Sequence, residues 1–178
     1  MTARVLVLLL ASGCGDEIVG EFSDAEVCNG IDDDGDGLRD EAAVDNAMCD
    51  DCRLEEVGGS SYWFCDTVPR TWPDARAFCM DHGADLAVAD DVAENARFAA
   101  GIEGGRWLGG TDAASEGTWA WIDGSPFALV KWGMDQPDDF EGRQDCLRVI
   151  GGMYQAWPAE AWDDFDCERE HPFVCEAP

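Results

Sequence analysis

Three aspartates at alternate positions near the amino terminus carry the first chemical signal in this chain. Asp32, Asp34 and Asp36 place side-chain oxygens at positions i, i+2 and i+4, and Gly37 supplies the glycine that a sharp turn needs. A loop that wraps a calcium ion in oxygen ligands requires this order of residue types. Asp40 would add a further carboxylate to the shell. The pattern therefore predicts that this acidic loop binds Ca²⁺.

The loop departs from the calcium site of a helix–loop–helix hand at two positions. The twelfth position is Ala43 instead of glutamate, and the eighth is Arg39, where an apolar residue is usual. Residues 28–49 are instead similar to the short Cys-Asn-Gly-x-Asp-x-Asp-x-Asp-Gly repeats of bacterial surface proteins and to thrombospondin-type calcium loops. The alternative interpretation is a solvated acidic spacer.

The charge of the whole chain also favours the binding of cations. The 178 residues carry 39 acidic and 11 basic side chains, which gives a formal net charge of −28. A chain this acidic repels phosphate backbones, so nucleic-acid binding is excluded, and an anionic membrane surface would bind it poorly. Eight Trp and eight Phe are too much apolar bulk for a disordered acidic tail. Cations are therefore the natural partners of a folded acidic body.

The first residues have the composition of an export signal. Residues 1–13 join a short basic start to a short apolar run and to small residues before Cys14. This ending resembles a bacterial lipoprotein cleavage box with Cys14 as the lipidated residue, although Ala11 stands where a larger aliphatic residue is usual. We therefore expect a lipid-anchored protein of the bacterial cell envelope that touches the membrane only through its anchor, with residues 14–27 as a tether. The alternative is an ordinary secretory signal with an incidental cysteine.

The cysteine count indicates an oxidising compartment. Nine cysteines in a chain of this length favour a disulfide framework, and lipidation of Cys14 would leave eight for four bridges. Cys49-x2-Cys52 has no second pair of the same kind, and neither His82 nor His171 extends it. Zinc is therefore not predicted.

The sequence pattern of residues 50–178 is typical of a small α+β domain, in which a strand and two helices precede short strands and long loops. The strand is predicted around Trp63. Thr71 is the predicted cap of the first helix, and Asp90-Asp91 opens the second. The apolar face of the first helix comprises Ala75, Phe78 and Cys79. The apolar face of the second comprises Val92, Ala96 and Ala99.

Several motifs follow one another along this region in a recognisable order. They are Trp72-x2-Ala75-x3-Cys79, Trp107-Leu108-Gly109-Gly110, Gln136-Pro137-Asp138, Asp145-Cys146, Trp162-Asp163-Asp164 and Phe173-Val174-Cys175. Their order and spacing resemble the C-type lectin-like domain family through most of residues 50–178. The resemblance implies a fold with two helices, small antiparallel sheets and a long calcium-binding loop, stabilised by disulfides.

The resemblance also implies a disulfide pattern. Two bridges common to the family correspond to Cys79–Cys175 and Cys146–Cys167, and the family's long form adds Cys52–Cys65. This pattern leaves Cys28 and Cys49 to pair with each other.

A calcium site that binds sugar is implied by the same resemblance. Its ligands would be Gln136, Asp138, Gln144, Asp163 and Asp164. The family usually has Glu at the position of Gln144 and Asn at that of Asp163, so the two departures together keep three carboxylates and two amides. Pro137 is cis in the family, which directs the oxygens of both flanking side chains to one point.

The order of these ligands implies which sugar is bound. Gln-Pro-Asp resembles galactose-type members, whereas Glu-Pro-Asn is typical of mannose-type ones. Phe140 stands where galactose receptors have a Trp that packs on the apolar face of the sugar. The predicted carbohydrate-binding residues are Gln136, Asp138, Phe140, Gln144, Asp163 and Asp164. The alternative for Phe140 is a loop residue folded into the core.

An auxiliary calcium site is also implied. Its ligands would be Asp112, Glu116, Asp139 and Asp145, with Gln144 shared, and its role would be to rigidify the long loop. The alternative for Glu116 is a cap on a turn.

The sequence therefore predicts a calcium-dependent lectin for glycans that end in galactose-like sugars. The alternative is a calcium-stabilised module that binds a protein partner or is structural. No nucleophile motif or catalytic histidine context is present, so an enzyme is not expected.

Overall fold

The computed structural model describes residues 51–57, 59–152 and 159–177. Several predictions fall outside these residues and stay predictions. They concern the signal segment, lipidation of Cys14, the acidic loop with Asp32, Asp34, Asp36 and Asp40, and the pairing of Cys28 with Cys49.

Eight strands and two α-helices make up the described fold. The strands are β1 (Arg53–Val57), β2 (Ser60–Arg70), β3 (Asp85–Leu86), β4 (Gly104–Thr111), β5 (Ala120–Trp121), β6 (Cys146–Gly151), β7 (Trp162–Phe165) and β8 (His171–Glu176). The helices are α1 (Trp72–Asp81) and α2 (Val92–Ala99), and a 3₁₀ turn covers Phe140–Gly142. Neither described α-helix is long and apolar enough to cross a membrane.

The strands form one connected sheet, where small antiparallel sheets were expected. Its order is β1-β2-β8-β4-β6-β7, with β3 paired to β8 and β5 paired to β4. The connection is a parallel pairing of Trp107 in β4 with Phe173 in β8, between two otherwise antiparallel sets. Strand β7 lies at one end of this order, and the residues of the predicted sugar site lie on it and beside it.

Helix α1 follows its sequence signals. The Thr71 Oγ1 accepts a hydrogen bond from the Asp74 N–H at 3.3 Å, which satisfies one of the free donors of the first turn. The predicted Ala75, Phe78 and Cys79 are buried on its inner face, together with Trp72. The Trp72 Nε1 donates to the carbonyl of Leu108 at 2.8 Å, and this bond ties the helix to the centre of the sheet.

Helix α2 begins where predicted but buries a different face. The Asp91 Oδ1 accepts hydrogen bonds from the N–H groups of Ala93 and Glu94, so Asp91 is the cap of this helix. The buried residues are Asn95, Phe98 and Ala99, whereas Val92 is 55% exposed. Asn95 can be buried because its amide donates to the carbonyl of Glu160 at 2.8 Å and accepts from the Trp162 Nε1.

Strand β4 needs its glycines because neighbouring groups approach the backbone closely. A Cβ at Gly109 would lie 2.8 Å from the Ile122 side chain and 2.9 Å from the carbonyl of Leu86. Aromatic rings fill the layer beyond this strand. Trp121 is 3% exposed, and its ring centroid lies 5.6 Å from that of Trp162. Trp121 is therefore part of the core, and the half-buried Trp119 and Trp132 pack against that core.

Three disulfides cross-link the described residues. They join Cys52 to Cys65, Cys79 to Cys175 and Cys146 to Cys167, with sequence separations of 13, 96 and 21 residues. These are the three pairings that the resemblance implied. The third bridge joins the start of β6 to the residues just after β7, so it braces the two strands that carry the predicted site.

Candidate calcium and sugar site

The carboxylate of Asp164 holds the loop that carries Gln136 and Asp138. Asp164 lies in β7 and is 1% exposed. Its Oδ1 accepts a hydrogen bond from the Asp138 N–H at 3.1 Å, and its Oδ2 accepts one from the Asp139 N–H at 2.7 Å. Burial raises the pKa of Asp164, and these backbone hydrogen bonds oppose the shift. The Asp164 carboxylate therefore holds the loop in place and lies near the carboxylate of Asp138.

The backbone of this loop is held in an unusual conformation. The Gln136–Pro137 peptide bond is cis, as the resemblance implied. Asp135, Asp139 and Glu141 all have positive φ angles, at 64°, 40° and 63°. Residues with side chains seldom adopt this region unless the surrounding structure holds them there. Such a loop presents its side chains from a defined position, as a binding site requires.

Both amide side chains of the predicted site accept backbone hydrogen bonds. The Gln136 Oε1 accepts from the Asp138 N–H at 3.1 Å, and the Gln144 Oε1 accepts from the Phe140 N–H at 2.5 Å. The Asp139 Oδ1 in turn accepts from the Gln144 N–H at 3.1 Å. The structure thus brings the 136–144 loop together through its own side chains. Each amide oxygen can also approach a cation, because a carbonyl oxygen has two lone pairs.

Asp163 forms a buried ion pair that the sequence analysis missed. The Arg148 Nε and Nη2 donate to the Asp163 Oδ2 at 2.8 and 2.6 Å, and both residues are 4% exposed. Burial raises the pKa of Asp163, while Arg148 opposes the shift. One signal could have revealed the pair. Arg148 is a lone charged residue in the apolar run Cys146–Gly151, which indicates a buried partner on a neighbouring strand.

His171 also lies beside Arg148. Burial, together with the charge of Arg148, lowers the pKa of His171 to about 4. The imidazole is therefore neutral at pH 7, and its Nε2, which lies 3.1 Å from the Arg148 Nη1, can accept a hydrogen bond. The guanidinium also stacks on Phe165, with its central carbon 3.5 Å from the ring centroid. Arg148 is thus held from several sides.

The Phe140 side chain is exposed to solvent, so the alternative interpretation, a loop residue folded into the core, is wrong. Its side chain is 64% exposed, at the start of the 3₁₀ turn between Asp138 and Gln144. An exposed aromatic ring offers apolar area on which the apolar face of a ligand can pack.

Three of the four residues predicted for the auxiliary site come together. Asp112, Glu116 and Asp145 each contribute a carboxylate oxygen to a group in which all these atoms lie within 4.8 Å of one another. The Asp112 Oδ2 accepts a hydrogen bond from the Gly117 N–H at 2.8 Å, whereas its buried Oδ1 has no partner among the described residues. Leaving a buried carboxylate oxygen unpaired is costly, and a cation would satisfy it. The donor set, which is all oxygen, suits calcium.

Asp139, the fourth predicted ligand of the auxiliary site, lies between the two sites. Its N–H donates to Asp164, while its charge adds to that of Asp145 and to burial in raising the pKa of Asp112. Burial is the largest of these causes, and the hydrogen bond from Gly117 opposes it. The two predicted sites are therefore electrostatically coupled through one aspartate.

The sequence analysis missed a further pair of carboxylates, Glu94 and Glu176. The Tyr62 hydroxyl donates to the Glu94 Oε1 at 3.1 Å, and the Val88 N–H donates to the Glu176 Oε2 at 3.2 Å. Burial raises the pKa of Glu176, and the charges of Glu94 and Asp90 add to the shift. Glu176 directly follows a disulfide cysteine in the last strand, and this position alone does not indicate a hydrogen-bond partner 88 residues earlier.

Comparison with known proteins identifies the family. A family model described as "Lectin C-type domain" matches residues 68–177. The chain belongs to the C-type lectin domain family. Calcium binding is general among these domains, and membership implies carbohydrate binding in general terms. Domains of this fold are typically binding modules and not enzymes.

Individual relatives agree with this assignment. The mouse protein "C-type lectin domain family 4 member F" is 34% identical over 66% of this chain and 21% of its own length. Ladderlectin of Oncorhynchus mykiss is 33% identical over 66% of this chain and 62% of its own. The structure of the mouse scavenger receptor C-type lectin carbohydrate-recognition domain superposes with a TM-score of 0.60 and 30% identity, over 69% of this chain and 91% of that one. This C-type lectin domain thus spans only part of the curated relatives that it matches.

The relatives correct the predicted location. They come from animals, with further examples from Homo sapiens and Philodryas olfersii, so the expected lipid-anchored location on a bacterial envelope is wrong. A short apolar segment that ends before a cysteine is not specific enough to assign a bacterial envelope. The secreted location that was the other expectation fits the three disulfides of the described chain.

A pH dependence follows from the raised pKa values of Asp112 and Asp164. Both are raised from 3.8, so the folded calcium-free chain holds these protons more tightly than the unfolded chain. Their contribution to stability is present below 3.8 and is lost as the pH rises through the raised values. Calcium should reverse this trend, because it binds the charged carboxylates. We therefore expect the increase in Tm on adding calcium to be larger in neutral than in acidic buffer.

Thermal unfolding with chelator and with calcium, in each buffer, measures this effect. The Glu116→Gln variant should show a smaller calcium-induced increase in neutral buffer, because it removes one charge from the auxiliary group. An equal increase in both buffers for the unsubstituted chain would contradict the prediction.

Proposed function

We propose that this C-type lectin domain binds carbohydrate in a calcium-dependent manner and prefers sugars of the galactose type. The observation that carries the proposal is the pair of hydrogen bonds from the N–H groups of Asp138 and Asp139 to the buried carboxylate of Asp164. This contact places the 136–144 loop beside strand β7, so that ligands from both segments can surround one ion. The proposed calcium ligands are Gln136, Asp138, Gln144, Asp163 and Asp164.

The charge of the site supports a hard divalent cation. Burial raises the pKa of both Asp163 and Asp164, and the Asp138 carboxylate adds to each shift, so the three negative charges lie close enough to repel. A cation with oxygen ligands relieves this repulsion, and Ca²⁺ accepts six to eight such ligands. Five protein residues leave coordination positions that two neighbouring sugar hydroxyls can fill. The same side chains can then exchange hydrogen bonds with these hydroxyls.

The sugar preference rests on the ligand order and on one ring. Gln136 precedes the cis proline and Asp138 follows it, which is the galactose-type order described above. Phe140 offers an aromatic ring that is 64% exposed at the same loop. The apolar face of galactose can pack on such a ring, and the gain is on the order of 1 kcal/mol.

A second candidate function is a calcium-stabilised module that binds a protein. Large apolar side chains near the site favour it, since Met134 is 71% exposed and Val130 is 58% exposed. Surfaces of this kind, with polar groups around them, are found in protein interfaces. The experiment that follows separates the two candidates.

The test compares retention of the purified chain on galactose- and mannose-substituted resins, first with calcium and then with chelator. We expect retention on galactose that the chelator releases. A variant with both Gln136→Glu and Asp138→Asn exchanges the amide and the carboxylate across Pro137 without changing the total charge. It should lose retention on galactose and gain retention on mannose.

The control variant is Asp123→Asn, which changes an exposed carboxylate on another loop and should leave retention unchanged. Retention of the unsubstituted chain on mannose instead of galactose would contradict the sugar preference but keep the lectin function. Retention on neither resin, with a Tm that still rises with calcium, would favour the protein-binding module.

A further inference from the structure

Arg148 is buried directly behind the proposed calcium site. It lies in β6 opposite Asp163 in β7, and the two residues are partners in the antiparallel register. Both hydrogen bonds from its guanidinium to Asp163 go to the same oxygen, Oδ2, at 2.8 and 2.6 Å. This leaves Oδ1 as the oxygen through which Asp163 would contact a cation.

The position of the guanidinium is closely determined. Its central carbon lies 3.5 Å from the centroid of the Phe165 ring, and its Nη1 lies 3.1 Å from the His171 Nε2. Two neighbouring side chains and the Asp163 carboxylate thus restrict its rotation. A residue so confined can determine the orientation of its carboxylate partner.

The charge of Arg148 has a second consequence. A guanidinium cannot lose its proton in a protein, so a fixed positive charge lies in contact with one ligand of the proposed cage. It offsets the charge of one of the three carboxylates contributed by Asp138, Asp163 and Asp164. The ion would then meet a cage that is less negative than its list of ligands suggests.

We propose that Arg148 is a positioning residue of the calcium site and that Arg148 and Asp163 act together as one electrically neutral ligand unit. The inference rests on the proposed function, because it assumes that Asp163 contacts the ion. It accounts for the carboxylate at a position where the family usually has an asparagine. A neutral pair presents the ion with one oxygen, as a neutral amide does.

A neutral ligand unit predicts a specific result. Removing both of its charges together should preserve calcium affinity, whereas removing the charge of Asp163 alone should weaken it. Asp163→Asn alone removes the carboxylate that offsets the buried guanidinium charge beside the ion, and it should weaken calcium binding about tenfold or more. Adding Arg148→Met to this variant removes that charge and leaves a neutral amide as the ligand. The double variant should therefore bind calcium within about threefold of the unsubstituted affinity.

The experiment is a calorimetric titration with calcium alone. Every protein in it carries Glu116→Gln, so that the auxiliary group contributes little. The circular dichroism spectrum confirms that each variant folds, and unfolding in chelator measures its calcium-free stability. If the ion pair were purely structural, the substitutions would change the calcium-free stability. The double variant would then not recover the calcium affinity that Asp163→Asn loses. If Arg148→Met alone does not fold, the comparison of Asp163→Asn with the double variant still decides the question.

The matched control is the ion pair of Arg76 and Asp85, which has two hydrogen bonds at 3.0 and 3.1 Å and joins α1 to β3. Arg76→Met and Asp85→Asn, alone and together, should leave calcium affinity unchanged. A double variant at Arg148 and Asp163 that binds no tighter than Asp163→Asn would overturn the inference and leave the proposed function intact. Absence of calcium binding by the parent protein would overturn both.

Discussion

Replacing Asp164 with asparagine is expected to abolish calcium-dependent retention on sugar resins and to destabilise the domain by about 2 kcal/mol. Asparagine keeps the shape of the side chain but has one oxygen where the carboxylate has two. One of the N–H groups of Asp138 and Asp139 would then face an amide N–H₂ group at a position that is 1% exposed. A buried donor without an acceptor costs about 1–3 kcal/mol.

The loss of calcium affinity should be larger than the loss of stability. The substitution removes one negative charge from the proposed cage and also releases the loop that carries Gln136 and Asp138. The charge and rigidity of a calcium site change its affinity over several orders of magnitude, and we expect a decrease of about 100-fold. Calorimetric titration with calcium and urea unfolding in chelator measure the two effects.

Asp123→Asn is the matched control for this prediction. The Asp123 Oδ1 accepts one backbone hydrogen bond, from the Ser125 N–H at 2.8 Å, and an amide oxygen can accept it equally well. This variant should keep both its calcium affinity and its stability. If Asp164→Asn bound calcium as tightly as the parent chain, the proposed role of Asp164 in the site would be wrong.

Removing the disulfide between Cys79 and Cys175 is expected to have the largest effect on stability. The two cysteines are 96 residues apart, so the bridge closes most of the domain into one loop. On the chain-entropy account, such a loop contributes about 4–5 kcal/mol by restricting the unfolded chain. Both cysteines are fully buried and pack in the core with Phe78 and Phe173. Replacing both with alanine adds a packing loss to the loss of the bridge.

Urea unfolding of the variant with Cys79→Ala and Cys175→Ala measures this effect. The corresponding double alanine variant at Cys52 and Cys65, which are 13 residues apart, provides the comparison. Its loss on the same account is smaller, about 3 kcal/mol, because the loop is shorter. Equal losses in the two variants would show that strain or packing, and not loop length, determines the contribution of each bridge.

Local signals in the sequence were sufficient for several elements of the fold. Thr71 and Asp91 cap the two helices because a short oxygen-bearing side chain before a helical run satisfies free N–H groups within the same few residues. The disulfide pairs and the cis bond before Pro137 were available only through the resemblance to a family, since spacing alone does not select among pairings. The inner face of α2 was not predicted correctly, because Asn95 is buried only by virtue of its hydrogen bonds to Glu160 and Trp162.

The residues of the candidate site also divide into those that the sequence predicted and those that only the structure brought to light. The types and order of its ligands, from Gln136 to Asp164, were determined by the sequence because they belong to compact motifs in which neighbouring residues act together. The ion pair between Arg148 and Asp163 was decided by the tertiary structure, since it depends on the register in which β6 and β7 pair. The tertiary structure also decided that Phe140 is exposed and that the buried Asp112 Oδ1 has no partner in the described part of the chain. Burial and charge pairing are properties of the packed chain, and a linear pattern specifies which groups are present but not which of them meet.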